Sequence, residues 1–205
     1  RIILSPRGVD TTLFDPAEVS DEQRASVRED LGAESGAPLV TIVGRITDWK
    51  GHRYLVEAAD RAANKAWHLA IVGSGNEGVI ANLKALVAER GLGSRITIAG
   101  SRRDIPAIMA ASDLVVSTST RPEAFGRVAI EAEVMGTPVI ATAHGGSLET
   151  IIDGETGFLV PPANADALAE AIDAALADPS RLKAMPFDTV NPSSMRCHVR
   201  SGSRR

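Results

Sequence analysis

The chain has 205 residues, of which 44% are hydrophobic and 23% charged, a composition typical of a globular protein and not of a disordered or fibrous one. A net charge of −4 and an aromatic content of 3% argue against a nucleic-acid partner, which favours basic or aromatic-rich surfaces. No uncharged stretch is long enough to span a bilayer. The one cysteine, Cys197, excludes a disulfide framework and indicates a cytoplasmic location.

The two ends of the chain differ from the rest in composition. We expect residues 1–182 to form one α/β domain and residues 183–205 to form a basic, poorly ordered tail. The last twenty residues hold four Arg and one Asp, are rich in Ser and lack an apolar period. A basic arm that binds an acidic partner is the alternative for this tail. Because the first residue is Arg1 and not Met, we also expect the chain to be cut from a longer protein.

Short apolar runs, each followed by loop residues and a helical pattern, define the fold class. A capping box at Ser20 and Gln23 first predicts a helix that ends near Gly32. Apolar runs follow at residues 39–43, 69–72, 96–99, 114–117 and 139–141, and Asp104 and Asn164 are predicted helix N-caps. Continuous blocks of Val, Ile and Leu are typical of strands buried on both faces. This alternation predicts a doubly wound parallel sheet with helices on both faces, a Rossmann-like α/β fold.

Ligands of open parallel sheets bind beyond the carboxyl ends of the strands, so the loops after these runs form the candidate site. We number them loop 1 (residues 44–51), loop 2 (73–75), loop 3 (100–103), loop 4 (117–126) and loop 5 (142–146). All five contain glycine, which lets a ligand approach the backbone closely.

Loop 2 opens the motif Gly73-Ser74-Gly75-Asn76-Glu77-Gly78, which has the G-x-G-x-x-G pattern of a dinucleotide site. The motif follows the second predicted strand instead of the first. The next strand leads into Gly100-Ser101-Arg102, without the acidic residue that would bind a ribose, although Arg102 would tolerate the 2′-phosphate of NADP. We therefore favour a tight turn beside another ligand and keep a dinucleotide-dependent oxidoreductase as an alternative.

Loops 1 and 4 carry groups suited to a diphosphate. Arg45 offers a planar guanidinium and Lys50 a point charge at the sheet edge. The alternative is that both are solvated surface cations. A helix beginning at Gly126 would aim free backbone N–H groups and its positive dipole end into the same crevice. These N–H groups would be a second, independent contact to a diphosphate.

Glu123 in loop 4 and Glu131 in the helix that follows are candidate hydrogen-bond acceptors. Eight helical residues rise about 12 Å, whereas the paired carboxylates of a glycosidase lie roughly 5–9.5 Å apart. We therefore interpret the two glutamates as separate acceptors for hydroxyl groups along one extended ligand. The alternative for each is a capping or surface role.

Loop 5 contains a glycine pair, Gly145 and Gly146, that would admit a sugar. His144 precedes this pair, and we interpret it as structural and not catalytic. No residues have metal-ligand spacing and no Asp-x-Asp motif occurs in the sequence, so we expect no metal cofactor.

Together, these segments resemble the carboxyl-terminal half of a retaining, nucleotide-sugar-dependent glycosyltransferase of the two-domain GT-B fold, in the large family 4, the group 1 glycosyltransferases. The resemblance covers residues 1–182. It rests on Gly44-Arg45…Lys50-Gly51, Glu123-Ala124-Phe125-Gly126, the seven residues between Glu123 and Glu131, Gly136-Thr137-Pro138, Gly145-Gly146…Glu149 and Asp153-Gly154…Thr156-Gly157. Arg7-Gly8-Val9-Asp10 stands where the family usually has Asn-Gly-Val-Asp, and Ala124 stands where it usually has Gly.

The resemblance implies a role for each matched residue. Arg45 and Lys50 would hold the diphosphate and stabilise it as the leaving group, together with the backbone N–H groups of Gly126-Arg127-Val128. Glu123 would contact the donor sugar, and Glu131 would accept hydrogen bonds from the ribose hydroxyls. The other residues implied to line the donor pocket are Gly44, Gly73, Gly75, Ser101, Arg102, Phe125, Gly145 and Gly146.

The resemblance also implies an amino-terminal acceptor domain that these 205 residues do not contain. We therefore expect the chain to bind a nucleoside-diphosphate sugar and to transfer the sugar poorly or not at all. An exposed crevice face and the apolar residues 2–4 would favour self-association. The full-length protein is implied to be cytoplasmic, or peripheral to the inner face of the membrane. A non-catalytic nucleotide-binding α/β module is the alternative function.

Overall fold

The computed structural model describes residues 9–185. The expectations for residues 2–4, for Arg7 and Gly8, and for the tail from residue 186 onward lie outside these described residues.

Parallel strands form one six-stranded sheet in the order β3-β2-β1-β4-β5-β6. The strands are β1 (Leu39–Val43), β2 (His68–Val72), β3 (Ile96–Gly100), β4 (Leu114–Ser117), β5 (Val139–Thr142) and β6 (Phe158–Val160). Val40 of β1 pairs with Leu69 of β2 on one side and with Leu114 of β4 on the other. The doubly wound parallel sheet predicted from the sequence is confirmed, and its topological switch point lies between β1 and β4.

Helices cover both faces of this sheet. Within residues 9–185 they are α1 (Asp21–Asp30), α2 (His52–Arg61), α3 (Glu77–Glu89), α4 (Ile105–Ala111), α5 (Arg127–Val134), α6 (Ser147–Thr150), α7 (Ala165–Ala177) and α8 (Pro179–Ala184). Helices α2, α3, α7 and α8 build one apolar core, and α1, α4 and α5 build a second. Val40 of β1 belongs to the first core and Leu39 to the second, because successive side chains of a strand point to opposite faces. Among the described residues, no helix combines the length and hydropathy needed to cross a bilayer.

The predicted helix starts at Ser20 and Asn164 are confirmed. Ser20 Oγ accepts a hydrogen bond from the backbone N–H of Gln23 at 3.2 Å, and Asn164 Oδ1 accepts one from Ala167 at 3.0 Å. Asp104 precedes α4 as predicted, but its carboxylate binds the Arg102 guanidinium instead of the helix end. The first two caps each satisfy an N–H group that the helix itself leaves without a partner.

Strand β6 and helices α6 and α8 were not predicted from the sequence. Strand β6 has three residues and α6 has four, too few to show a period, and β6 pairs with β5 at the sheet edge. Helix α8 begins at Pro179, separated from the end of α7 by Asp178, and proline is tolerated in the first turn of a helix. Leu182 and Met185 are buried in the core, so the described fold extends three residues beyond the boundary predicted at residue 182.

Candidate functional site

Loops 1 and 4 lie side by side at the topological switch point. The backbone N–H of Thr120 donates to the carbonyl of Trp49 at 2.7 Å, and Thr118 Oγ1 donates to the carbonyl of Lys50 at 2.9 Å. A Cβ atom on Gly51, which has a φ of +73°, would lie 2.0 Å from the carbonyl oxygen of Thr118. Glycine is therefore required for this approach. Loop 4 fixes the backbone of Trp49 through its own backbone and that of Lys50 through the Thr118 side chain.

Lys50 and Glu123 form an ion pair between these two loops, with Nζ 2.8 Å from Oε1. Their side chains are 17% and 21% exposed, so solvent screens the pair only partly. Ser119 Oγ donates to the same carboxylate oxygen, and the Lys50 ammonium lies 4.8 Å from the centre of the Trp49 ring. The crevice therefore holds a cation and a carboxylate in fixed positions.

The backbone of loop 5 packs directly on the backbone of loop 4. Gly146 donates its N–H to the carbonyl of Glu123 at 2.8 Å. A Cβ atom on Gly145 would lie 2.5 Å from that carbonyl oxygen, and one on Gly146 would lie 2.5 Å from the carbonyl carbon of Phe125. These two glycines make room for loop 4. Their contact with a sugar stays a prediction.

Helix α5 begins four residues after Glu123, with Gly126 as its N-cap at a φ of +66°. In the described part of the chain, no side chain accepts a hydrogen bond at this helix end. The N–H of Ala129 bonds to the carbonyl of Gly126 at 3.0 Å. The N–H groups of Arg127 and Val128 therefore remain available as donors at the positive end of the helix dipole.

Glu131 lies one turn into α5 and is 8% exposed. Arg127 Nη2 is 3.2 Å from Glu131 Oε1, one turn away on the same helix, and the Arg127 side chain is 60% exposed. Burial raises the pKa of Glu131, and the Arg127 charge partly offsets this effect. Glu131 is thus a shielded acceptor that a ligand hydroxyl would reach from the exposed side of this pair.

The glycines of loop 2 serve a close contact between two backbones. The N–H of Ile46 donates to the carbonyl of Ser74 at 2.8 Å, which extends the pairing of β1 and β2 into their loops. A Cβ atom on Gly73 would lie 1.7 Å from the carbonyl oxygen of Gly44, and one on Gly75 would lie 2.1 Å from that of Ile46. The side chain of Asn76 also caps α3. This geometry favours the tight-turn interpretation over a pyrophosphate cradle, which needs a free helix end.

The other predicted cations differ in their surroundings. Arg45 is exposed and makes no salt bridge within residues 9–185. Arg102 instead pairs with Asp104 at 2.6 Å and with Asp30 at 3.2 Å. Ser101 beside it is exposed. The structure thus brings loops 1, 4 and 5 together, while the guanidinium of Arg102 is held by two aspartates.

Sequence reasoning missed His52, the first residue of α2. It is 3% exposed, and neither ring nitrogen has a hydrogen-bond partner among the described residues. Burial lowers the pKa of His52 to about 4; the backbone of Thr47 partly opposes this shift and the nearby Lys50 charge adds to it. It lines a cavity of about 550 Å³ with Tyr54 of α2 and Val79 of α3. Only its place directly after Lys50-Gly51 could have indicated it.

Within residues 9–185, no three His, Cys, Asp or Glu side chains are grouped as metal ligands would be. Metal independence stays a prediction.

Sequence comparisons place the chain in one family. The profile described as glycosyl transferases group 1 matches residues 23–186. The chain is 36% identical over 199 residues to D-inositol 3-phosphate glycosyltransferase of Nocardia farcinica, which covers 93% of this chain and 43% of that protein. The chain therefore spans less than half the length of this curated relative.

Solved structures agree with the sequence comparison. Anabaena Alr3699/HepE, with crystal structures in complex with UDP and glucose and with UDP-glucose, has 32% identity and a TM-score of 0.83. That similarity covers 92% of this chain and 51% of the Anabaena chain. The C-terminal domain of LpcC, a glycosyl transferase group 1 family protein from Francisella tularensis, has 28% identity and a TM-score of 0.76 over 91% of this chain and 98% of that domain. The chain therefore belongs to the group 1 glycosyltransferases, and its fold is that of their carboxyl-terminal domain.

Proposed function

We propose that this chain is the donor-binding domain of a retaining family 4 glycosyltransferase and that it binds a nucleoside-diphosphate sugar in the crevice between loops 1, 4 and 5. The observation that carries this proposal is the Lys50–Glu123 ion pair at the topological switch point, four residues before the free end of α5. The fixed cation and two backbone donors suit the anionic diphosphate, and the two carboxylates in adjacent segments suit the hydroxyl groups on either side of it.

The diphosphate lies between loop 1 and α5 in this proposal. Lys50 is fixed by loop 4 and supplies a point charge, while the exposed Arg45 swings in to give a bidentate contact. The N–H groups of Arg127 and Val128 bind from the other side. These donors stabilise the negative charge that develops on the departing diphosphate, an effect of about 3–4 kcal/mol for one well-placed donor. They take the place of a metal ion.

The two glutamates recognise hydroxyl groups at either side of the diphosphate. Glu131 accepts hydrogen bonds from the ribose, and its burial strengthens them. Glu123 contacts the donor sugar once the diphosphate has drawn Lys50 toward itself. Gly73 lies beside loop 3, because its N–H donates to the carbonyl of Gly100 at 2.8 Å. We propose that the base and ribose pocket is lined by Gly44, Gly73, Gly75, Ser101 and Arg102, and the sugar pocket by Phe125, Gly145 and Gly146.

Uridine is the base that the structural comparison supports, since the Anabaena protein is in complex with UDP and UDP-glucose. The acceptor groups are supplied by another domain, because the curated relative is more than twice as long as its aligned part. The chain alone thus binds the donor without efficient transfer. Robust sugar transfer by the purified chain to an added glycan or lipid acceptor would contradict this part of the proposal.

Calorimetric titration with UDP, GDP, ADP and NADP tests donor binding. We expect one nucleoside diphosphate, UDP, to bind, and we expect Lys50→Ala and Glu131→Ala each to weaken it about tenfold or more. Lys84→Ala, which removes an exposed cation from α3, is the matched control and should bind like the wild type. Tight NADP binding would instead support a dinucleotide site at loop 2. A lack of any nucleotide binding would contradict the proposal for this chain.

Self-association through the open crevice face belongs to the same proposal. Light scattering should report oligomers whose population falls when UDP is added, because the ligand occupies that face. A monomer at every concentration would contradict it.

A further inference from the structure

The hydrogen bonds around Ser119 connect loop 5 to the ion pair. The carbonyl oxygen of Ser119 accepts from Nε2 of His144 at 2.7 Å and from Oγ1 of Thr142 at 2.8 Å. Because a carbonyl oxygen can only accept, the His144 ring must carry a proton on Nε2. The Ser119 side chain then donates to Glu123, which also accepts from Lys50.

The peptide bond between Ser119 and Thr120 is held on both sides. Its carbonyl is bound by loop 5, and its N–H donates to the carbonyl of Trp49 in loop 1 at 2.7 Å. A planar peptide fixed at both polar groups holds the adjoining Cα atom of Ser119 in place. The residue is 2% exposed, so the surrounding packing further restricts its side chain. Ser119 Oγ donates to Glu123 from this position, so His144, which shares the Ser119 carbonyl with Thr142, contributes to the orientation of the Glu123 carboxylate.

We propose that His144 is a positioning residue for the donor sugar and acts through Ser119 on the carboxylate of Glu123. This role rests on the proposed contact between Glu123 and the sugar. Lys50 has an independent support, since its carbonyl is bound by Thr118. Loss of the His144 hydrogen bond should therefore disturb the sugar contact and leave the diphosphate contact in place.

Paired titrations with UDP and UDP-glucose separate these two contacts. In the wild type, the glucosyl group should increase the affinity over that for UDP. In His144→Leu this gain should fall about five- to tenfold, while the Kd for UDP changes less than about twofold. In His144→Gln, whose side-chain N–H can reach the position of Nε2, most of the gain should return.

Two further variants distinguish positioning from a general loss of stability. Ser119→Ala should lose the same gain as His144→Leu, and the double variant should lose little more than either alone, because both act on one contact. His68→Leu removes another buried imidazole, which bonds Thr97. Both residues lie at the amino ends of β2 and β3, at the sheet edge opposite the crevice loops. This variant should lower the melting temperature without reducing the glucosyl gain.

The outcomes are distinct. A His144→Leu variant that keeps the full gain, or that weakens UDP and UDP-glucose equally, would overturn the role of His144. A wild-type chain that binds UDP but gains nothing from the glucosyl group would overturn it as well. A wild-type chain that does not bind UDP would contradict the proposed function itself.

Discussion

The ammonium of Lys50 lies 2.8 Å from the carboxylate of Glu123, so the two charged groups best placed for a sugar diphosphate neutralise each other. Both side chains are largely buried, so solvent and salt screen their attraction only partly. A bound diphosphate would compete for Lys50 and release Glu123. The ion pair thus couples binding of the diphosphate to availability of the carboxylate.

Substitution of Lys50 should weaken UDP binding, whereas substitution of Glu123 should leave it unchanged or strengthen it. Lys50→Met removes the charge-assisted contact and should raise the Kd for UDP about 10- to 100-fold. Glu123→Gln keeps the shape of the side chain but frees the Lys50 ammonium, so UDP should bind as tightly as to the wild type or more tightly. Isothermal titration measures both. A Glu123→Gln variant with UDP affinity reduced as strongly as in Lys50→Met would contradict the competition.

Gly73→Ala should destabilise the fold strongly. Its φ of +153° is unfavourable for alanine, and the new Cβ would lie 1.7 Å from the carbonyl oxygen of Gly44. We expect a loss of about 3–5 kcal/mol in the free energy of unfolding and a melting temperature about 6–15 °C lower. Gly93→Ala is the matched control, because Gly93 is exposed with open space around it. Equal melting temperatures for the two variants would show that loops 1 and 2 do not pack as described.

The sequence predicted the sheet better than the contacts between its loops. The continuous apolar run at residues 39–43 predicts a strand buried on both faces, and the structure forms β1 there with the predicted bounds. The glycines of loop 2 are compatible with more than one structure, because the same G-x-G spacing suits either a bound phosphate or a neighbouring backbone. Their contact with loop 1 depends on how the two strands align, which the local sequence does not determine.

Burial of polar side chains was equally hard to predict. Glu131 and Glu133 both lie on α5, and the structure buries both. Only Glu131 has a salt-bridge partner in the described part of the chain, because only it has a cation one turn before it. A helical period cannot show that a second glutamate faces the packed interior. Sequence reasoning therefore assigned a candidate role to Glu131 and none to Glu133.

Glu133 should make stability fall as the pH rises. Burial raises its pKa to about 8, and its Oε1 is buried with no hydrogen-bond partner among the described residues. A group whose folded-state pKa is raised contributes its stability fully below pH 4.5 and loses it as the pH rises toward 8. Glu133→Gln should remove this dependence of stability on pH. Its free energy of unfolding, relative to that of the wild type, should therefore be roughly 1–3 kcal/mol higher at pH 8.5 than at pH 5.

Urea unfolding of wild type, Glu133→Gln and Glu170→Gln at both pH values measures that change. Glu170 is exposed on α7 and serves as the control for loss of one carboxylate. If wild type and Glu133→Gln had the same pH dependence, Glu133 would have to be ionised and solvated in the folded protein.

His52 should make the stability of the fold decrease as the pH falls. Burial lowers its pKa to about 4, so the folded protein holds the neutral imidazole while the unfolded chain takes up a proton. Its contribution to stability is complete above pH 6.5 and is lost as the pH falls toward 4. His52→Leu should therefore lose less stability between pH 7 and pH 4.5 than the wild type, by roughly 1–3 kcal/mol.

Thermal melts across that range test His52. His68, whose pKa burial also lowers, should leave a residual slope in His52→Leu. The double variant His52→Leu/His68→Leu should be flatter still. A His52→Leu variant that is as acid-sensitive as the wild type would contradict a buried neutral imidazole.

Chelation should leave nucleotide binding unchanged. The proposed clamp uses Arg45, Lys50 and the N–H groups at the start of α5, which supply positive charge without a metal. The Kd for UDP should be the same with EDTA and with added Mg²⁺. An affinity that collapses in EDTA and returns with Mg²⁺ would mean that a metal bridges the diphosphate.

A crystal structure of this chain with UDP-glucose tests the central claim most directly. We expect the diphosphate to lie within hydrogen-bond distance of Lys50 Nζ and of the N–H groups of Arg127 and Val128, with the ribose on Glu131 and the glucosyl group beside Glu123. A diphosphate bound at Gly73–Gly78 instead of at Lys50, or a nucleotide in the cavity that His52 lines between α2 and α3, would contradict it.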